Sequence, residues 1–158
     1  MNPKIIFEDR RFDPKLVEFH LHAEAMARSV GYTAKLGIDG QLAQLLRLRV
    51  AQLNPCSYCL ILHDRAAADQ GITRERIASL PSWRESTLYS AAEGAALAYC
   101  EALTAFDQAG FAAAHDGLAK HFNKAAIAEI AAVIINMNVW TRLKLAQGAT
   151  PVEVSDSG

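Results

Sequence analysis

Three side chains with reactive chemistry stand close together in "LNPCSYCLILHDRAAADQG", residues 53–71: Cys56, Cys59 and His63. The only cysteine elsewhere is Cys100. Spacings of three, four and seven bring side chains onto one stripe of an α-helix, within roughly 60° of one another at about 100° per residue. Tyr58 then falls on the opposite face. Two thiols and an imidazole on one stripe can do redox chemistry, hold a metal, or simply pack. Asn54 and Pro55 read as an N-cap and a first helical residue, which sets both cysteines near a helix N-terminus. Free N–H groups and the positive dipole end stabilise a thiolate there. A thiol so placed can fall from a pKa of about 8.5 to neutrality or below. His63 can accept or relay a proton. A second thiol can close a sulfenic acid into a disulfide before it over-oxidises. The cluster therefore meets the needs of a dithiol peroxidase or disulfide reductase.

A metal is the weaker reading, because zinc normally takes four ligands and no second Cys/His pair stands nearby in the sequence. His20 and His22 flank Leu21 and cannot both face one site, while His115 and His121 are isolated. Cys100 lies inside "AALAYCEAL", where a small buried hydrophobe is its natural role.

The elements that position these groups are expected to be helices throughout. Alanine and leucine dominate, prolines sit at breakpoints and β-branched runs are scarce. Asp13 and Pro14 suit the start of a helix running toward Val30 and ending near Gly31. Asp39 caps "GQLAQLLRLRVAQL", with Leu42, Leu45, Leu46, Val50 and Leu53 at helical spacing. The cysteine helix follows and stops at Gly71. A short helix is expected after Thr73, and "LPSWREST" looks irregular. Ser90 and Glu93 form a capping box for the helix through "AALAYCEALTAF". Two more helices, about 108–122 and 124–147, complete the chain, the second between Asn123 and Gly148. The tail "TPVEVSDSG" is expected to fray. This is an all-α, single-domain chain (1–158) of about six or seven helices. Several helices are apolar on more than one stripe, which favours oligomerisation.

Of the 158 residues, 51% are hydrophobic and 21% charged, and the formal net charge of −1 leaves no electrostatic footprint for nucleic acid or an anionic membrane. The N-terminus lacks the apolar region of a secretory signal, and unbroken apolar runs are only a few residues long. No membrane association is expected. Few cysteines without an export signal point to a reducing cytoplasm, where a close pair is more often catalytic or metal-binding than a staple.

Beyond these physical readings, "LLRLRVAQLNPCSYCLILHDRAA" resembles the core of the carboxymuconolactone decarboxylase-like superfamily, specifically its alkylhydroperoxidase AhpD-like branch. "WRESTLYSAAEGAALAYCEALT" and "IAEIAAVIINMNVWTRLKLA" resemble two further segments of that branch, so the likeness covers about residues 22–147. The resemblance implies an all-helical fold assembled as trimers or hexamers. It also implies peroxidase or disulfide-reductase activity through the two cysteines, without cofactor or metal, on a hydroperoxide with a dithiol reductant. By position Cys59 would attack, Cys56 resolve and His63 serve the proton relay, although the helix dipole alone favours Cys56 as the more acidic thiol. The relay usually includes a glutamate twelve residues before the first cysteine, and that relay position here is Gln44. An amide can orient His63 or a water but cannot take a proton. Ala51 stands where relatives often carry serine, and Tyr58 where the best-known members carry histidine. Glu24 or Glu93 could replace the missing carboxylate, or the relay could shorten to His63 and water, the outcome we expect, leaving a slower peroxidase. The dithiol could also serve another redox partner. Two other functions compete: a lactone decarboxylase-like activity, which does not need the cysteine pair, and a non-enzymatic, redox-sensing helical oligomer. Trp83, Trp140, Tyr58 and Phe111 are candidates for an apolar entrance, though core or interface is the commoner role for such aromatics.

Overall fold

The computed structural model describes residues 3–155. Among these the chain forms α1 (Phe19–Val30), α2 (Gly40–Leu53), α3 (Ser57–Asp69), α4 (Arg74–Ser79), α5 (Ala91–Ala105), α6 (Gln108–Ala119) and α7 (Lys124–Gln147). Two strands, β1 (Lys4–Asp9) and β2 (Ala149–Val154), pair at the ends. The class is all-α with one small sheet.

α2 is the axis of the fold. Asp39 caps it by accepting from the Leu42 N–H at 3.0 Å, and α3, α5 and α7 pack around it. A helix enclosed on several sides needs apolar residues all round rather than on one stripe. Leu45, Leu46 and Val50 are accordingly fully buried, each large side chain contributing roughly 1.5–3 kcal/mol. Two buried polar residues interrupt this surface, Gln44 and Arg47, and both reach the site described below.

α7 starts where Asn123 Oδ1 accepts from the Ala126 N–H at 2.9 Å. It stops at Gly148, whose φ of 74° is left-handed. A Cβ at Gly148 would come within 3.0 Å of Arg11 Cγ, so both conformation and space ask for glycine. α7 is long and apolar enough by length and composition to cross a membrane, with a mean hydropathy of 1.3 over its most apolar window. Here it packs against α1, α2 and α5, burying Ile130, Val133, Ile134 and Met137.

Three expectations about the backbone need correction. Asp13 caps only a 3-10 turn, Pro14–Leu16, and Val17 is extended (φ −126°, ψ 147°), so α1 begins at Phe19. "LPSWRE" is a 3-10 segment, Leu80–Glu85, kinked at Ser82. The tail does not fray as far as it is described. β2 pairs antiparallel with β1, from Lys4 opposite Val154 to Asp9 opposite Ala149, and 156–158 lie outside the described residues. A lone two-stranded ribbon is marginal in water. This one is held by Phe7, whose ring meets Tyr58 edge-on at 4.6 Å, and by Gln147 Nε2 donating to Asp9 Oδ1 at 2.7 Å.

Candidate active site

The start of α3 lies later than the Asn54 reading. Asn54 ends α2, its N–H donating to the Val50 carbonyl and its Nδ2 to Asn138 Oδ1 at 2.9 Å. Pro55 disfavours helical backbone in the residue before it. Cys56 is the N-cap, with extended φ/ψ (−123°, 111°), and its sulfur accepts from the Cys59 N–H at 3.4 Å. The sulfur thus takes the position usually filled by a capping oxygen.

Both thiols are free and buried, and their sulfurs lie 2.8 Å apart, beyond the covalent S–S length of about 2.0 Å. The S–H of Cys59 donates to Cys56, the largest influence on the Cys56 thiol. Burial opposes, the N–H groups of Cys59 and Tyr58 and the charge of Lys144 assist, and the pKa is lowered to about 7. Cys59 is pushed up, first because it holds the shared proton and then by burial. The shared proton is thus held on Cys59, and Cys56 becomes the thiolate as pH rises through about 7. Cys100 is buried in the core and raised to about 12 by desolvation, a packed and unreactive thiol.

His63 is buried one turn beyond Cys59, and burial, with Arg47 nearby, lowers its pKa to about 4. It is neutral at physiological pH. Its Nδ1 lies 2.7 Å from the hydroxyl of Tyr32, which the loop between α1 and α2 delivers. Gln44 is held in one orientation. Its Oε1 accepts from Arg47 Nη1 at 3.1 Å, and its Nε2 donates to the His63 carbonyl at 2.9 Å. The same Nε2 stands 3.5 Å from His63 Nδ1. Arginine can only donate, so the amide's NH2 must face the imidazole. With two donors turned toward it, Nδ1 accepts and the ring proton sits on Nε2. Arg47 also donates to the Val30 carbonyl at 2.8 Å and lies 4.7 Å over the Tyr32 ring.

A cleft of about 470 Å³ opens beside these groups. Cys59, His63, Tyr32 and Arg47 line it together with Tyr58, Leu62, Met137, Trp140 and Lys144, whereas Cys56 does not. Tyr58 is therefore not on the opposite face. Adjacent helical side chains are only about 100° apart, and the cleft spans both Tyr58 and Cys59, with Lys144 Nζ 4.3 Å from the Tyr58 ring. Of the two proposed substitute carboxylates, Glu24 lines the cleft, 2.7 Å from His20 Nδ1. Glu93 is occupied by Arg76 and the Ser90 N–H and stands outside it. Ala51 is core. Of the candidate entrance aromatics, Tyr58 and Trp140 line the cleft, while Trp83 donates to Glu101 at 2.9 Å and Phe111 packs on Tyr99. His20 lines the cleft and His22 is exposed, as are His115 and His121. Among the described residues no group of three or more His, Cys, Asp or Glu could hold a metal ion.

Sequence reasoning missed Tyr32, Arg47, Asn136 and Lys144 as parts of this site. Arg47 alone offered a signal, a cation three residues after Gln44 on an otherwise apolar helix.

Comparison with known proteins gives a consistent result. Residues 21–102 match the carboxymuconolactone decarboxylase family. The chain is 29% identical over 118 residues to the uncharacterized protein YdfG of Bacillus subtilis, spanning 74% of this chain and 80% of YdfG. It is 28% identical over 109 residues to the uncharacterized protein YnjA of Escherichia coli, spanning 69% and 60% of the two chains. A crystal structure from Agrobacterium tumefaciens, a protein of unknown function provisionally named as the antioxidant defence protein AhpD, superposes with a TM-score of 0.83 at 26% identity over 92% of this chain and 100% of that one. The debrominase Bmp8 superposes with a TM-score of 0.72 at 20% identity over 86% and 72%, a likeness of fold alone.

Proposed function

Because the chain belongs to the carboxymuconolactone decarboxylase family, in its AhpD-like branch, a family that contains enzymes, we propose that it is a thiol-dependent peroxidase recycled by a dithiol. The observation that carries this reading is the free Cys56–Cys59 pair at the start of α3, with Cys59 and His63 facing one cleft.

The division of labour follows access. Cys59 passes its proton to the Cys56 thiolate and attacks the terminal oxygen of the hydroperoxide. An S–O bond forms and the O–O bond breaks. The departing alkoxide takes the proton from His63 Nε2, whose Nδ1 recovers one from Tyr32. Cys56 then attacks the sulfenic sulfur of Cys59. An S–S bond forms, the S–O bond breaks, and the hydroxide leaves as water with the proton from Cys56. The two sulfurs have supplied two electrons and one proton, and Tyr32, through His63, has supplied the other. An external dithiol restores both electrons and both protons by exchange through a mixed disulfide, one proton returning to His63 Nε2 as its Nδ1 proton goes back to Tyr32. Gln44 holds His63 in its tautomer and carries no proton itself.

Such a cycle needs a reducing compartment, hence our assignment to the cytoplasm. The exposed Leu16, Val17, Phe19 and Leu21 beside α1 and Ile135 on α7 suit burial between copies, in support of a trimer or hexamer. Light scattering tests that assembly. The function is tested by dithiothreitol-dependent reduction of cumene hydroperoxide, with mass spectrometry for a Cys56–Cys59 disulfide after a peroxide pulse. Sustained turnover that Cys59→Ser abolishes is expected. A disulfide that forms and reverses without turnover would instead make the protein a redox sensor.

A further inference from the structure

We propose that the cleft beside Cys59 is built to hold an amphipathic carboxylate, so that the preferred substrate is a hydroperoxide bearing a carboxylate away from its O–O bond. The substrate part of this inference rests on the peroxidase reading above. The binding part stands by itself.

The anchor is Arg47. The residue lines the cleft and is 5% exposed, and only part of its donor fork is used, on Gln44 Oε1 and the Val30 carbonyl. Among the described residues no carboxylate lies within 4.0 Å of it. A buried cation without a counter-charge is unfavourable in a resting protein unless an anion completes it. Arg28 of α1 and Lys144 of α7 face the same cleft and also lack a carboxylate partner among the described residues. The one acidic side chain in the wall, Glu24, is engaged with His20. A chain of net charge −1 thus concentrates three Lys/Arg side chains around one opening.

The remaining wall specifies the rest of the ligand. Leu62, Met137 and the Trp140 ring offer apolar surface, which a small inorganic anion would leave unused. Two wall residues also carry buried polar atoms without a hydrogen-bond partner, the acceptor Asn136 Oδ1 and the donor Trp140 Nε1. They leave one acceptor and one donor of the wall residues unpaired, a combination that a hydroperoxyl group complements in kind. A carboxylate, an apolar body and a hydroperoxyl group together match what this wall lacks.

The test compares cumene hydroperoxide with its para-carboxy derivative, which has the same reacting centre, and measures binding of unreactive 4-isopropylbenzoate and 4-isopropylbenzamide by calorimetry. At low salt, kcat/KM is expected to be at least about tenfold higher for the carboxy compound, and the benzoate to bind at least about tenfold tighter than the amide. Lys144→Ala should shrink both ratios. Gln44→Glu, which sets a carboxylate against Arg47, should bring both within about twofold. If the benzoate is preferred but neither peroxide is turned over, the carboxylate subsite stands and the peroxidase reading falls. If both peroxides react equally and the benzoate binds no better than the amide, the subsite is overturned and the peroxidase reading stands.

Discussion

The hydroxyl of Tyr32 lies 2.7 Å from Nδ1 of His63, joining the loop after α1 to the middle of α3. A phenol and an amide therefore surround the imidazole where the family resemblance leads one to expect a carboxylate. In the relay proposed above, Tyr32 takes the place beside His63 expected for water, with a hydroxyl that can both hold and release a proton.

Tyr32→Phe removes that hydroxyl but keeps the ring beneath Arg47. Peroxide turnover is expected to fall roughly tenfold to a hundredfold, while iodoacetamide alkylation of the resting thiols is unchanged. Full turnover in this variant would exclude the phenol from proton transfer.

Gln44→Glu places an anion beside Arg47 Nη1 and within reach of His63 Nδ1. The imidazolium gains a counter-charge, so the His63 pKa, now about 4, should move upward in an NMR titration. Reduction of cumene hydroperoxide should change with it. If turnover stays at the wild-type level while Cys59→Ser abolishes it, position 44 has no part in the relay.

The ultraviolet absorbance of the thiolate should report Cys56, which does not line the cleft. Its lowered pKa of about 7 predicts that the absorbance rises through neutrality and levels off by about one unit above. Cys56→Ser should lose this step. In Cys59→Ala the midpoint should move up, because the hydrogen bond that does most to hold the thiolate is gone. A midpoint that stays near 7 in Cys59→Ala would show that the helix end, rather than the second thiol, governs the ionisation.

Stability should fall on acidification. His63 is neutral in the folded protein down to about pH 4, whereas an unfolded histidine takes its proton near pH 6.5. Between these values the unfolded state binds more protons, so stability is full above about 6.5 and is lost as pH falls toward 4. The shift corresponds to roughly 3 kcal/mol. Thermal unfolding of His63→Gln should show a flatter profile across that window. An equally steep profile would assign the loss to other groups.

Local signals made much of this legible in the sequence. Asp39, Ser90 with Glu93, and Asn123 with Gly148 mark helix ends through caps that act over three or four residues, and the structure uses all of them. The nearness of Cys56 and Cys59 is legible from their three-residue spacing, although a capping contact rather than helical backbone at Cys56 brings it about. The slip at Asn54 has a local cause too: cysteine is not a usual capping residue, so a sulfur cap after Pro55 looks like an ordinary Asn-Pro start. What stayed hidden depends on distant partners. β1 and β2 pair the two ends of the chain, and no short window can show that. Tyr32 sits in a loop without periodicity, and only the packing of α1 against α7 and α2 against α3 brings it to His63.

The β1–β2 ribbon has a mechanical consequence. Lys4 faces Val154 at the outer end of the ladder, so a force drawing the two chain ends apart loads its hydrogen bonds one rung at a time, as a zipper does, rather than in shear. The ribbon should open at low tension, before the helices around α2 yield. Opening it pulls Phe7 off Tyr58, and the wall of the cleft beside Cys59 would be the first working part to feel the pull.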